Sequence, residues 1–63
     1  MTLSEFTKLE VKDQLEVTWV KGILEDNVAH DKYQYLLYKL EGFFVEITFN
    51  SDTDEVVALS GFL

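Results

Sequence analysis

The sequence predicts an α+β fold, with one N-terminal helix packed on a 3–4-stranded antiparallel β-meander. Three observations carry this. From Lys32 onward, runs rich in aromatic and β-branched residues are separated by turn signals at Glu41-Gly42 and Ser51-Asp52-Thr53-Asp54. The N-terminal third has capping residues and an apolar stripe at helical spacing. The 63 residues contain no proline, repeat or linker-like stretch, so a single small domain, 1–63, is expected.

The helix is predicted over about 8–21. Thr7 with Glu10 three residues on is a capping-box pattern, and Thr2 with Glu5 offers an earlier start of the same type. Val11, Leu15 and Trp19 fall at i, i+4 and i+8, on one stripe expected to cover the sheet. Lys21 stands in the last turn and Gly22 just after it. A strand reading competes. Leu15-Glu16-Val17-Thr18-Trp19 alternates apolar and polar, with Lys21-Gly22 as a hairpin turn. The β-branched residues favour the strand; the caps, the length and the stripe favour the helix, which is the reading taken.

Strands are predicted at about 23–29, 32–40, 43–50 and 55–62. Glu25, Asp26 and Asn27 weaken the first, which is expected to be short, irregular or at an edge. Gly42 supplies cheap positive φ for the turn between the second and third.

Register follows from turn length. A two-residue turn at Glu41-Gly42 pairs Leu40 with Phe43, Tyr38 with Val45 and Leu36 with Ile47. A four-residue turn at Ser51–Asp54 pairs Phe49 with Val56, Ile47 with Ala58 and Phe43 with Phe62. One face then carries Leu36, Tyr38, Leu40, Phe43, Val45, Ile47, Phe49, Val56, Ala58 and Phe62, and is the expected core. The opposite face is expected to carry Tyr33, Tyr35, Leu37, Phe44, Val57 and Leu59, broken up by Lys39, Glu46 and Thr48. Leu24 and Val28 join it if the first strand pairs. One helix cannot cover both faces, and a large exposed apolar patch marks an interface. A homodimer is therefore expected, with Tyr33, Tyr35, Leu37, Phe44, Glu46, Val57 and Leu59 in its interface; another protein partner is left open. The competing reading is a bulge that shifts the parity and divides the apolar excess between the faces.

The run Leu37-Tyr38-x-Leu40-x-x-Phe43-Phe44-Val45-Glu46-Ile47, preceded by Trp19-Val20-Lys21-Gly22, resembles a group of short uncharacterised bacterial proteins. In that group a helix ending Trp-x-x-Gly leads into a similar meander. The resemblance spans about Leu9 to Phe62 and implies the helix reading of the N-terminal third. Its motifs are structural and imply no activity. The C-terminus departs from the group, with Val57, Leu59 and Ser60 where basic residues are usual.

Twelve acidic residues against five lysines give a net charge of −7. The lysines are scattered, which argues against nucleic acid and anionic membranes as partners. Met1 is followed by Thr2, Ser4 and Glu5, unlike a basic, apolar leader, so a cytoplasmic location is expected. With no cysteine and one histidine, nucleophilic triads and thiolate metal sites lack their parts.

Four constellations bear on chemistry. His30 beside Asp31 reads as a solvated turn histidine. Asn50-x-Asp52-x-Asp54-Glu55 places oxygens at positions 1, 3 and 5 of a calcium-type loop, but Glu55 and Gly61 stand where that loop needs glycine and glutamate. An Asx turn is the reading taken. Glu46 is expected to pair with Lys39. The aromatic residues lack interleaved basic ones and read as core and interface rather than stacking platforms. No catalytic, cofactor-binding or metal residue is assigned. The expected function is a non-catalytic interaction module that self-associates. The alternative is a small-ligand binder with a pocket at the helix–sheet junction, near Trp19 and Tyr38, or at the dimer interface.

Overall fold

The computed structural model describes residues 1–63. Helices α1 (Leu3–Thr7) and α2 (Val11–Lys21) precede four strands: β1 (Ile23–His30), β2 (Tyr33–Leu40), β3 (Phe43–Asn50) and β4 (Glu55–Phe62). The strands form one antiparallel sheet in the order β1-β2-β3-β4, so the α+β meander expected from the sequence is the fold. The helical region differs in detail. It is two helices, not one over 8–21.

The Thr2–Glu5 capping box forms the first of them. The Glu5 amide donates to the Thr2 hydroxyl at 3.2 Å, and the Thr2 amide donates to the Glu5 carboxylate at 2.8 Å. Five residues are too few to stand alone. Tertiary contact holds α1: Phe6 is fully buried, its ring 5.3 Å from that of Phe43. Thr7 caps nothing; its hydroxyl donates to the Ser4 carbonyl. The N-cap of α2 is Glu10, without a side-chain cap bond.

The stripe that α2 turns to the sheet is not Val11, Leu15 and Trp19. Val11 and Trp19 are exposed, while Thr18 is fully buried and Leu15 and Val17 pack against the core. Thr18 tolerates burial because its hydroxyl donates to the Gln14 carbonyl at 2.7 Å. The Gln14 amide donates to the Phe6 carbonyl at 3.0 Å and ties α2 to the end of α1. Gly22 ends α2 in an extended conformation (φ −80°) rather than a left-handed one. A Cβ there would collide with the Thr18 carbonyl oxygen and lie 3.2 Å from the Tyr38 ring.

The β2–β3 register is the expected one throughout, from Leu40–Phe43 to Gln34–Phe49, and Gly42 takes φ +88°. The β3–β4 register begins as expected at Phe49–Val56 but shifts at a bulge around Val57. Beyond it Ile47 faces Leu59, Val45 faces Gly61 and Phe44 faces Phe62. Parity inverts, so Leu59 joins the core face and Ala58 and Phe62 leave it. A second bulge at Glu25 in β1 puts Leu24 opposite Tyr38 on the core face, and Val28 opposite Tyr35 on the other.

The core is Phe6, Leu40, Phe43, Val45 and Ile47, flanked by Leu3, Leu9, Leu15, Val17, Leu36, Tyr38, Val56 and Leu59. Every strand residue in it lies on one face. Both helices sit on that face. Gly61 lets α1 approach: a Cβ there would come within 2.9 Å of Leu3 Cδ1 and 3.3 Å of the Phe6 ring.

Candidate interaction surface

The other face of the sheet receives no element of the chain. Cross-strand pairing orders it into rows. Ile23, Lys39, Phe44 and Phe62 form the row nearest the Glu41-Gly42 turn. Asp26, Leu37, Glu46 and Ser60 form the next, followed by Val28, Tyr35, Thr48 and Ala58. His30, Tyr33, Asn50 and Glu55 form the last.

Tyr33, Tyr35, Leu37 and Phe44 stand on this face, half-buried by one another and by their neighbours. Glu46 is here too and is exposed, flanked by Leu37 and Ser60, with Lys39 on the diagonal. Val57 and Leu59 are not part of it. Leu59 packs against the core from the opposite face. Val57 is the extra residue of the bulge and lines a groove against Val11 of α2. Phe62, which the expected register put in the core, stacks on Phe44 with centroids 5.9 Å apart and remains 40% exposed. Ile23 and Val28 extend the apolar surface onto β1 and are exposed.

The sequence held one signal for this exchange. Gly61 in a strand interior marks a bulge or a close approach of another element. Here it marks the close approach: Gly61 pairs regularly with Val45, beyond the bulge at Val57, and faces Leu3 and Phe6 of α1.

The remaining candidates resolve into turns. His30 ends β1 and is exposed, and Asp31 turns the chain with φ +59°. Asn50 accepts from the amides of Asp52 (2.9 Å) and Thr53 (3.3 Å), forming the Asx turn. Asp54 completes it in the left-handed region at φ +58°. No three histidine, aspartate or glutamate side chains converge as a metal site. Of all the titratable groups, Glu5 shows a clear shift. Its carboxyl is held below the ordinary glutamate value of 4.5, chiefly by the hydrogen bond from the Thr2 backbone, with smaller help from the Met1 ammonium and the Thr2 hydroxyl.

Three depressions mark the surface. The largest, about 540 Å³, is open and lies between Met1–Ser4, the Glu41–Phe43 turn and Leu63. One of about 230 Å³ separates Val11 and Gln14 of α2 from Val56–Leu59. One of about 170 Å³ lies between Met1, Val17, Lys21, Leu40, Glu41 and Phe43. Neither Trp19 nor Tyr38 lines any of them, and Trp19 points to solvent.

No helix is long and apolar enough to cross a membrane. Comparison with protein-family models, curated proteins and solved structures gives no match.

Proposed function

We propose that this protein is a non-catalytic interaction module whose partner is a second copy of itself, docked sheet to sheet through the uncovered face. The observation that carries this reading is that face: Tyr35, Leu37, Phe44 and Phe62 at its centre and edge, with both helices on the opposite side. Its size suits the role. Four strands of eight residues present roughly 20 by 26 Å, or about 500 Å² in projection. Side-chain relief raises the accessible area toward the roughly 800 Å² per partner of a specific interface. The monomer also has reason to gain from association, since only six of its 63 residues are buried. Relative to the sequence expectation, the proposed interface loses Val57 and Leu59 and gains Phe62; with β1 paired, Val28 joins it as expected, while Leu24 lies on the core face instead.

Light scattering after size exclusion, at two concentrations about tenfold apart, tests this. The wild type is expected to run as a dimer at both. Phe44→Asp replaces one aromatic ring of the contact, the one stacked on Phe62, with a charge and is expected to run as a folded monomer. A wild type that is monomeric at both concentrations overturns the proposal.

The alternative of a small-ligand site has its best location in the groove between α2 and β4. Its 230 Å³ falls below the roughly 300 Å³ at which ligand pockets begin, and the larger 540 Å³ depression beside Met1–Ser4 is open to solvent. A metabolite panel that raises Tm would favour that alternative.

A further inference from the structure

The uncovered face is not uniformly apolar, and its charges are unbalanced. Asp26, Glu46 and Glu55 put three carboxylates on it, against the ammonium of Lys39 and that of Lys32, which lies 5.6 Å from the Tyr33 ring centroid in the last row. That leaves a surplus of one negative charge per copy. Asp26 and Glu46 matter most. They flank Leu37 on either side in the second row, Glu46 on the inner strand β3 and Asp26 on the edge strand β1. Asp26 spends one carboxylate oxygen on the Asn27 amide at 2.9 Å, and Glu46 makes no hydrogen bond to the rest of the chain.

Resting on the self-association proposed above, we infer that the assembly is held in check by this charge and tightens when it is screened or neutralised. Sheets packed face to face stand about 10 Å apart. Two copies therefore oppose surpluses of like charge at about that distance. Repulsion of this size lowers affinity about tenfold in dilute buffer and is largely screened once the Debye length shrinks to about 3 Å in molar salt. The carboxylates flanking Leu37 also lose hydration on docking, which adds to the same penalty. The face thus combines an apolar drive to associate with a charge that opposes it, and ionic conditions set the balance.

Sedimentation equilibrium of the whole chain at low and high sodium chloride tests this with three proteins. The wild type is expected to dimerise about tenfold more tightly at high salt. Asp26→Asn/Glu46→Gln removes the two charges that flank Leu37 and keeps the side-chain shapes. It is expected to match, at low salt, the affinity the wild type reaches at high salt. Glu10→Gln/Glu16→Gln changes net charge equally, but on the helical side, and is expected to follow the wild type. A wild-type affinity independent of salt overturns the inference while leaving the dimer intact, as does an α2 variant that tightens as much as the sheet variant. If none of the three dimerises in any salt, the self-association reading itself fails, and this inference with it.

Discussion

The two faces of the sheet are built from similar side chains and differ in what reaches them. The core face holds Leu36, Leu40, Phe43, Val45 and Ile47; the other holds Tyr33, Tyr35, Leu37, Phe44 and Phe62. Composition alone does not choose between them. The choice is made by α1 and α2, short helices that enter from one side. At 1.5 Å per residue, the eleven residues of α2 span about 16 Å, against about 26 Å for an eight-residue strand. Even on the covered face, burial is complete only in the half nearer the Glu41-Gly42 turn, at Leu40, Phe43, Val45 and Ile47. It fades toward Phe49 and is lost at Ala29. The difference teaches that helix, not strand, is the limiting material in this chain.

The sharpest way to break the contrast is to remove the residue that does most of the covering. Phe6→Ala leaves a cavity beneath α1 against Phe43 and is expected to cost about 3–5 kcal/mol. A core this small supplies roughly that much stability in total, so the variant is expected to be unfolded at room temperature by far-UV circular dichroism. Leu37→Ala, on the uncovered face, is expected to cost about 1 kcal/mol in the monomer, measured by urea denaturation at low protein concentration. Equal losses at the two positions would contradict the assignment of faces.

A smaller effect is expected where the helices touch down on glycine. Gly22→Ala drives a Cβ into the Thr18 carbonyl, a backbone atom that cannot rotate aside, and is expected to cost about 3 kcal/mol. Gly61→Ala meets Leu3 Cδ1 at 2.9 Å, the end of a side chain at the edge of α1, and is expected to cost about 1 kcal/mol. Urea midpoints of the two variants check the order. A reversal would mean that α1 is seated more rigidly on β4 than α2 is on β2.

How far the sequence could be read follows the same divide. The β2–β3 pairing was legible residue by residue, because a two-residue turn with glycine at its left-handed position leaves one register. The β3–β4 pairing was legible for Phe49–Val56 and then failed. The run Val56-Val57-Ala58-Leu59 is apolar at every position, so both parities look equally good and nothing local announces the bulge. Tyr33, Tyr35, Leu37, Phe44 and Glu46 therefore landed on the expected face, while Leu59 and Phe62 exchanged places. The helices were harder. Two capping boxes compete, Thr2–Glu5 and Thr7–Glu10, and the earlier one is the one that forms. The buried position on α2 is Thr18 rather than its neighbour Trp19, against hydropathy. A threonine that bonds its hydroxyl back to Gln14 fits the tight space beside Gly22, where an indole does not.

The smallest expected effect isolates the cap that holds the covering helix. In the folded state the Glu5 carboxylate accepts from the Thr2 amide at 2.8 Å, which favours the charged form and lowers its pKa. In the unfolded chain that bond is gone and the ordinary value of 4.5 returns. A group whose folded pKa is depressed adds stability that is fully present above its unfolded value and is lost as the pH falls through the folded one. Glu5 therefore supports α1 at neutral pH and ceases to do so in acid. Because the carboxylate is fully exposed, screening keeps the contribution small. Glu5→Gln resembles the protonated form and supplies the reference. The wild type is expected to show the higher urea midpoint at neutral pH, with the gap to Glu5→Gln closing well below pH 4.5. The comparison with Glu5→Gln isolates the Glu5 carboxylate, since the rest of the chain is the same in both proteins. A gap that stays constant with pH would mean that the glutamate acts by shape rather than charge, and that the lid over the core face has no electrostatic latch.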